Sequence, residues 1–317
     1  MGNSLFVDIG GTNLRYAFVE STSEKFSKVI KKKIDESMSA DLLIKKILKV
    51  IPIQINNIVF SIAGPKLNNT VEMTNRNLKI DPQTIKTKYV LNECFILNDW
   101  EAIAYSFLNF EQKSLFNLIN EGKQPYNDNI LCVGPGTGLG AAMLVKNEIA
   151  LATEIGNINF GIKDLIGDKY YSSGEFRKIE DVLSGPAISR FYQILTDKNL
   201  KPEEIIKLAK SKEINALEVV NDFLKRLARF LAKLSLIYLP GKGIYLSGSL
   251  VRSLKDFIIK KDFEQNYLLS NKNTPQHKIL ENTVINIIDQ EHLALYGCLN
   301  YFNLNSHVCD DCFKQLS

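Results

Sequence analysis

Short apolar stretches recur along the chain, and two of them share one design. Leu5-Phe-Val-Asp-Ile-Gly-Gly-Thr-Asn-Leu-Arg-Tyr-Ala-Phe-Val19 opens with a β-branched and aromatic run. Gly10-Gly11-Thr12-Asn13 interrupts it, and Leu14, Tyr16 and Phe18 then alternate with Arg15 and Ala17. The pattern predicts a strand, a tight turn and a second strand. Ile130-Leu-Cys-Val-Gly-Pro-Gly-Thr-Gly-Leu-Gly-Ala-Ala-Met-Leu-Val145 repeats it, with Gly134, Gly136, Gly138 and Gly140 alternating around Thr137.

Elsewhere the periodicity predicts an edge-like strand over residues 28–34 and buried strands over 57–63 and 93–97. An amphipathic helix is expected from Asp41, with Leu42, Leu43, Ile47, Leu48 and Ile51 on one face, and another over 100–110. Residues 112–129 are polar and read as loop. The second hairpin is expected to return as a strand over 148–152. Residues 178–195 read as largely helical, broken at Gly185-Pro186, with Glu180 on the face opposite Lys178. A short helix follows at 203–210 and the longest at 215–238, where Val219, Phe223, Leu227, Phe230, Leu234 and Ile237 form a core stripe. A strand at 243–247, a helix opening at Gly248-Ser249, a last strand at 283–288 and a helix at 291–302 complete the pattern.

The glycine turns carry the first candidate chemistry. Glycines at a hairpin tip leave backbone N–H groups open to an anion, and a threonine hydroxyl adds a donor. Each turn leads into a strand, which argues against the P-loop and the dinucleotide fingerprint, both of which need a helix N-terminus. Two such hairpins suggest two related halves facing each other across a nucleotide. Asp8, at the mouth of the first turn, is placed to hold a hydrated divalent cation. Asp99 ends a strand just before a helix, where an aspartate serves as an N-cap, as a catalytic carboxylate, or as both.

Composition adds bounds. At 317 residues the chain exceeds one average core, so one large or two medium domains are expected. The net charge of +4 is mild, and Lys31-Lys32-Lys33 reads as a solvated strand edge, so no nucleic-acid partner is expected. No secretory signal is expected at the first residues and no membrane span in the chain. Five cysteines, with Cys94, Cys132 and Cys298 in apolar runs, point to a reducing cytoplasm. His307, Cys309 and Cys312 offer too few ligands for a closed structural zinc site.

Asp8-Ile-Gly-Gly-Thr-Asn-Leu-Arg15 and Gly134-Pro-Gly-Thr-Gly-Leu-Gly140 together resemble the phosphate motifs of the actin-like sugar kinases, and within them the bacterial glucokinase family, related to the hexokinases. The resemblance continues through Leu97-Asn98-Asp99, Thr153-Glu-Ile-Gly156, Glu180-Asp-Val-Leu-Ser-Gly-Pro186 and Gly243-Ile-Tyr-Leu-Ser-Gly-Ser249. It implies an α/β, two-domain actin-like (ribonuclease H-like) sugar kinase fold with a cleft between a small and a large domain. The small domain would hold residues 1–105 and about 303–317, and the large one 106–302.

The activity implied is transfer of the γ-phosphate of ATP to the 6-hydroxyl of glucose. Asp99 would be the base, with Asn75, Asn98, Asp99, Glu154, Asn157 and Glu180 around the sugar. ATP would be held by Asp8, Gly10, Gly11, Thr12, Asn13, Gly136, Thr137, Gly138, Gly248 and Ser249, with Mg2+ on Asp8 through water. Asn157 stands where the family usually has His, which bears on sugar selectivity more than on kinase activity. A kinase for another hexose and a catalytically silent sugar sensor stay open as alternatives, as does a homodimeric assembly.

Overall fold

A computed structural model describes residues 2–11, 13–23, 25–34, 39–73, 78–110, 115–269, 272 and 274–306. The chain divides into two compact units, Met1–Phe110 with Glu291–Ser317, and Glu111–Gln290. The expected boundaries lay at 105 and near 303. The structural ones fall later and earlier because residues 106–109 continue the preceding helix as a 3-10 turn and the C-terminal helix belongs whole to the first unit.

The first unit starts with β1 (Ser4–Ile9), β2 (Asn13–Val19) and β3 (Ile30–Lys33), an antiparallel ribbon. Helix α1 (Ala40–Leu48) follows, capped by Ser39, and leads to β4 (Asn57–Ile62), parallel to β1. A small three-stranded sheet, β5 (Lys66–Leu67), β6 (Thr70–Glu72) and β7 (Lys79–Ile80), stands apart from the main one. Helix α2 (Pro82–Tyr89), β8 (Glu93–Asn98) and α3 (Asp99–Tyr105) complete this portion of the chain. The main sheet runs β3-β2-β1-β4-β8.

The second unit repeats that plan. β9 (Leu115–Ile119) precedes the ribbon β10 (Ile130–Pro135), β11 (Leu139–Val145) and β12 (Ile149–Thr153). Helices α4 (Ile162–Tyr171), α5 (Gly185–Thr196), α6 (Pro202–Lys210) and α7 (Ile214–Tyr238) follow. The unit ends with β13 (Gly243–Leu246), α8 (Ser249–Leu254), α9 (Lys260–Tyr267), α10 (His277–Asn282) and β14 (Ile285–Ile288). The sheet order β12-β11-β10-β13-β14-β9 is the first unit's order with one antiparallel strand added at the edge. The two glycine turns therefore occupy equivalent places, between the first two strands of each ribbon.

Every residue of β1 is buried, because both faces of its sheet are covered. Leu5, Val7 and Ile9 share a core with Leu43, Ile44 and Ile47 of α1. Side chains alternate along a strand, so Phe6 and Asp8 point the other way. There Phe6 meets Phe302 of α11 (Leu293–Ser306), the helix that returns from the far end of the chain. Phe95 packs edge-on against Tyr301 and Phe302 of the same helix. Gly297 permits the close approach: a β-carbon there would lie 1.5 Å from the Ala102 carbonyl oxygen of α3. The buried Asn300 donates to the Tyr105 carbonyl at 2.9 Å, satisfying a group that the end of α3 leaves open.

Three local expectations are corrected. Residues 115–119, read as loop, form β9, whose partner β14 lies far along the chain. The helix expected over 100–110 starts at Asp99 and loses its α geometry after Tyr105. Of the kink or turn between two helices expected within residues 178–195, the turn is found, but earlier: a 3-10 turn, Ile179–Asp181, precedes α5, which begins at Gly185 under the Ser184 cap. Among the described residues no helix is long and apolar enough to cross a membrane. The His307, Cys309 and Cys312 tail lies outside the described residues.

Candidate active site

In the first unit the sheet register builds the surroundings of Asp8. Arg15 is its ladder partner on β2 and Ser61 its partner on β4, so both share its face. Arg15 Nη1 donates to Asp8 Oδ2 at 3.0 Å and Ser61 Oγ to Oδ1 at 3.2 Å. Burial pushes the Asp8 carboxyl above its ordinary range, and Arg15 and Ser61 offset part of that rise.

At the adjoining turn Gly10 N–H donates to the Asn13 carbonyl at 3.0 Å, so that amide is used within the turn. A β-carbon on Gly11 would meet nothing within 4 Å, so packing does not explain the glycine. Thr12 and Asn75 lie outside the described residues.

The Asn98-Asp99 pair shows which residue caps the helix. Asn98 is the N-cap: its Oδ1 accepts from Trp100 N at 2.8 Å and Glu101 N at 3.4 Å, while Glu101 Oε2 accepts from Asn98 N at 2.8 Å. This reciprocal capping box fixes the end of β8 against the start of α3. Asn98 Nδ2 also donates to the Gly64 carbonyl at 2.7 Å, tying β8 to the loop that follows β4. Asp99 is the first helical residue, half-buried, with Oδ1 accepting from Trp100 N at 3.0 Å. The cap falls to Asn98, and α3 does not need the Asp99 carboxylate to begin.

The second unit gathers more of the expected residues. Gly136 N–H closes on the Gly138 carbonyl at 2.7 Å, and the Gly136 carbonyl accepts from Gly185 N at 2.7 Å, fastening the turn to the start of α5. Thr137 stands exposed at the tip, and a β-carbon on Gly136 would meet nothing within 4 Å. Gly138 has a different reason: its β-carbon would lie 2.4 Å from Glu180 Oε2. That oxygen accepts from Leu139 N at 3.2 Å, so Glu180 lies against the glycine turn itself. Gly248, at φ +115°, takes a conformation that favours glycine, with the Pro135 carbonyl 3.6 Å from where its β-carbon would be, and exposed Ser249 opens α8 beside it.

Glu154 and Asn157 join the same cluster. Gly156 lets their loop press on β11, since a β-carbon there would sit 2.2 Å from the Leu139 carbonyl oxygen. Asn157 Nδ2 donates to Glu154 Oε2 at 2.9 Å, and Lys178 Nζ donates to Asn157 Oδ1 at 3.2 Å. Lys178 also forms an ion pair with Glu180. The expectation that Lys178 and Glu180 occupy opposite faces is therefore wrong. Lys178 is extended, at φ −140° and ψ 160°, and its side chain falls on the same side as that of residue 180. Lys178 is the residue of this cluster that sequence reasoning left out; the Lys-x-Glu spacing would have revealed it had 178 been read as extended.

Magnesium keeps several waters and typically binds through one or two carboxylates plus substrate phosphates. Asp8 beside a glycine turn suits such water-mediated holding, with both its oxygens already engaged by Arg15 and Ser61. Among the described residues no group of three or more His, Cys, Asp or Glu could hold a metal ion.

A three-stranded antiparallel ribbon running into parallel strands, built twice with a glycine turn between the first two strands each time, is the two-domain actin-like ATPase fold. Residues 5–304 match the family model described as Glucokinase. The chain belongs to the glucokinase family. It is 26% identical to a glucokinase of Chelativorans sp. (strain BNC1), over 94% of this chain and 90% of that one. Among solved structures it is similar to a glucokinase from an Antarctic psychrotroph, with TM-score 0.78 and 22% identity over 96% of this chain and 99% of that one. It is also similar to a Balamuthia mandrillaris glucokinase in complex with glucose, with TM-score 0.75 and 19% identity over 94% and 92% of the two chains. At these identities the two structures speak for the fold.

Proposed function

We propose that this chain transfers the γ-phosphoryl group of ATP to the 6-hydroxyl of glucose, giving glucose 6-phosphate and ADP. The observation that carries this reading is the contact of Glu180 with the second glycine turn. A carboxylate suited to sugar hydroxyls is hydrogen-bonded to the backbone of a turn suited to phosphates. Family membership supplies the reaction class.

Phosphoryl transfer depends on positioning and charge stabilisation more than on covalent chemistry. Glu154, Asn157 and Glu180 would orient the sugar through its hydroxyls. Asp99 would accept the proton of the attacking hydroxyl late in the transfer. A magnesium ion, held through water near Asp8, would supply charge neutralisation on the phosphates. Gly11, Thr137 and Gly138 would approach those phosphates, while the Gly10 and Gly136 amides hold the turns in shape. Placement in the cytoplasm belongs to the same reading and is supported by the free, buried Cys94, Cys132 and Cys298.

The test is ADP release across glucose, mannose and fructose with Mg-ATP, repeated with polyphosphate as donor. Glucose with ATP is expected to give the highest kcat/KM. Tight glucose binding without ADP release at saturating Mg-ATP would overturn the kinase reading.

The empty space over Gly136 yields a separate expectation. Alanine there meets no protein atom, and restricting the unfolded chain stabilises by about 0.4–1 kcal/mol where the backbone is compatible. Gly136→Ala should therefore keep or slightly raise the melting temperature while raising the KM for ATP by about tenfold, because the methyl occupies the nucleotide's approach. Thermal melts and ATP titrations of the one variant check both halves.

A further inference from the structure

We propose that Lys178 is a positioning residue of the sugar site, fixing the direction of the Asn157 amide and the place of the Glu180 carboxylate. The proposal rests on the reading of Glu154, Asn157 and Glu180 as sugar-binding, and it adds a residue that this reading does not contain.

An ammonium group can only donate hydrogen bonds and an ionised carboxylate can only accept them. Asn157 lies between one of each, with Lys178 Nζ 3.2 Å from Oδ1 and Glu154 Oε2 2.9 Å from Nδ2. Turning the amide over would set its NH2 against a cation and its carbonyl against an anion. The two neighbours thus select one orientation. It leaves Asn157 one amide hydrogen to offer a hydroxyl oxygen.

Lys178 reaches Glu180 at the same time, and the other Glu180 oxygen accepts from Leu139 N. The carboxylate is held from both sides, between the Lys178 ammonium and the glycine turn. Lys178 is itself held at its backbone. Arg177 N and Lys178 N both donate to Asp181 Oδ2, at 2.9 and 3.0 Å, and Ile179 N donates to the Ile158 carbonyl at 2.8 Å. The last bond places residue 178 beside the loop that carries Asn157. Without the Lys178 charge, two carboxylates would face the cluster with no cation between them, and Asn157 would hang on a single partner.

The Lys178 side chain is 40% exposed, so Lys178→Met is expected to fold normally. Loss of charge-assisted positioning should raise both the glucose KM and the glucose Kd measured by calorimetry by about tenfold or more. The kcat should stay within about threefold of wild type and the KM for ATP should be unchanged, as for a loss of binding made equally in ground and transition states. Because Lys178 acts partly through Asn157, the glucose penalty of the Asn157→Ala/Lys178→Met double variant should be smaller than the product of the two single penalties.

A glucose Kd within about threefold of wild type, a loss confined to kcat, or penalties that multiply in the double variant each overturn the proposal. The calorimetric arm separates this inference from the kinase reading. A wild type that binds glucose without turnover sinks the kinase reading alone, and Lys178 is then judged on Kd. A wild type that binds no glucose overturns both.

Discussion

Asp99→Ala is expected to lower kcat by about 10²–10⁴-fold, the range over which a positioned general base acts. The reason this should be a clean loss of chemistry lies one residue earlier. Asn98 supplies the cap of α3, through Trp100 N and Glu101 N, and the Glu101 carboxylate returns to Asn98 N. Removing the Asp99 carboxylate deletes a favourable charge in the first turn and its bond to Trp100 N, each worth on the order of 1 kcal/mol or less, and leaves the reciprocal cap in place. The melting temperature should therefore fall by only a few degrees, and ATP should bind with near wild-type affinity. Asn98→Ala should show the contrasting signature, because it removes the cap and the bond to the Gly64 carbonyl together, at a cost of about 1–2 kcal/mol. Stopped assays and thermal melts on the two variants decide the matter. If Asp99→Ala keeps wild-type kcat, the carboxylate is not the base.

The second large effect is on stability. At Gly297 a β-carbon would fall 1.5 Å from the Ala102 carbonyl oxygen, 2.5 Å from the Ala102 carbonyl carbon and 3.1 Å from Ser106 N. All three are backbone atoms, so no side chain can rotate out of the way. Gly297→Ala must push α11 off α3. The shift loosens the Asn300 bond to the Tyr105 carbonyl and the ring contacts of Tyr301 and Phe302 with Phe95. Overpacking of this kind costs about 3 kcal/mol, which for a unit of this size lowers its melting transition by on the order of 10 °C. Calorimetry is the suitable measurement, since two compact units can melt separately and the loss should fall on one transition. An unchanged thermogram would show that the two helices do not depend on their backbone contact.

The parts of the molecule that were legible in the amino-acid order are those whose cause is local. The two glycine turns announce themselves because each is bounded by its own apolar runs, and the ribbons they join pair in the register those runs imply. The helix at Ile214–Tyr238 was readable from its stripe of Val219, Phe223, Leu227, Phe230 and Leu234, all buried, although Ile237, expected on the same stripe, is exposed. β9 was not. Its five residues include Asn117, and its strand character comes from pairing with β14, where Asn117 Nδ2 donates to Asn286 Oδ1 at 3.1 Å. Four of its five residues are apolar, but the polar stretch around them hid the run.

The site divides the same way. Glu154, Asn157 and Glu180 stood out by motif, but the cation that links them did not. Its placement depends on a backbone turn pinned by Asp181, and helical periodicity assigned it to the opposite side. The cap at Asn98 was hidden by its neighbour, since either of two adjacent polar residues can start a helix and only the geometry chooses between them.

The route of the chain has a consequence for biogenesis. The first unit's sheet is covered on one side by a helix made of residues 293–306, so on the ribosome that sheet cannot bring Phe6 and Phe95 against that helix until those residues have emerged. The second unit is drawn from one unbroken stretch and has every strand it needs before then. The sheet of the first unit is thus sealed only after the strands of the second have been made, and the nascent chain must protect it in the interval.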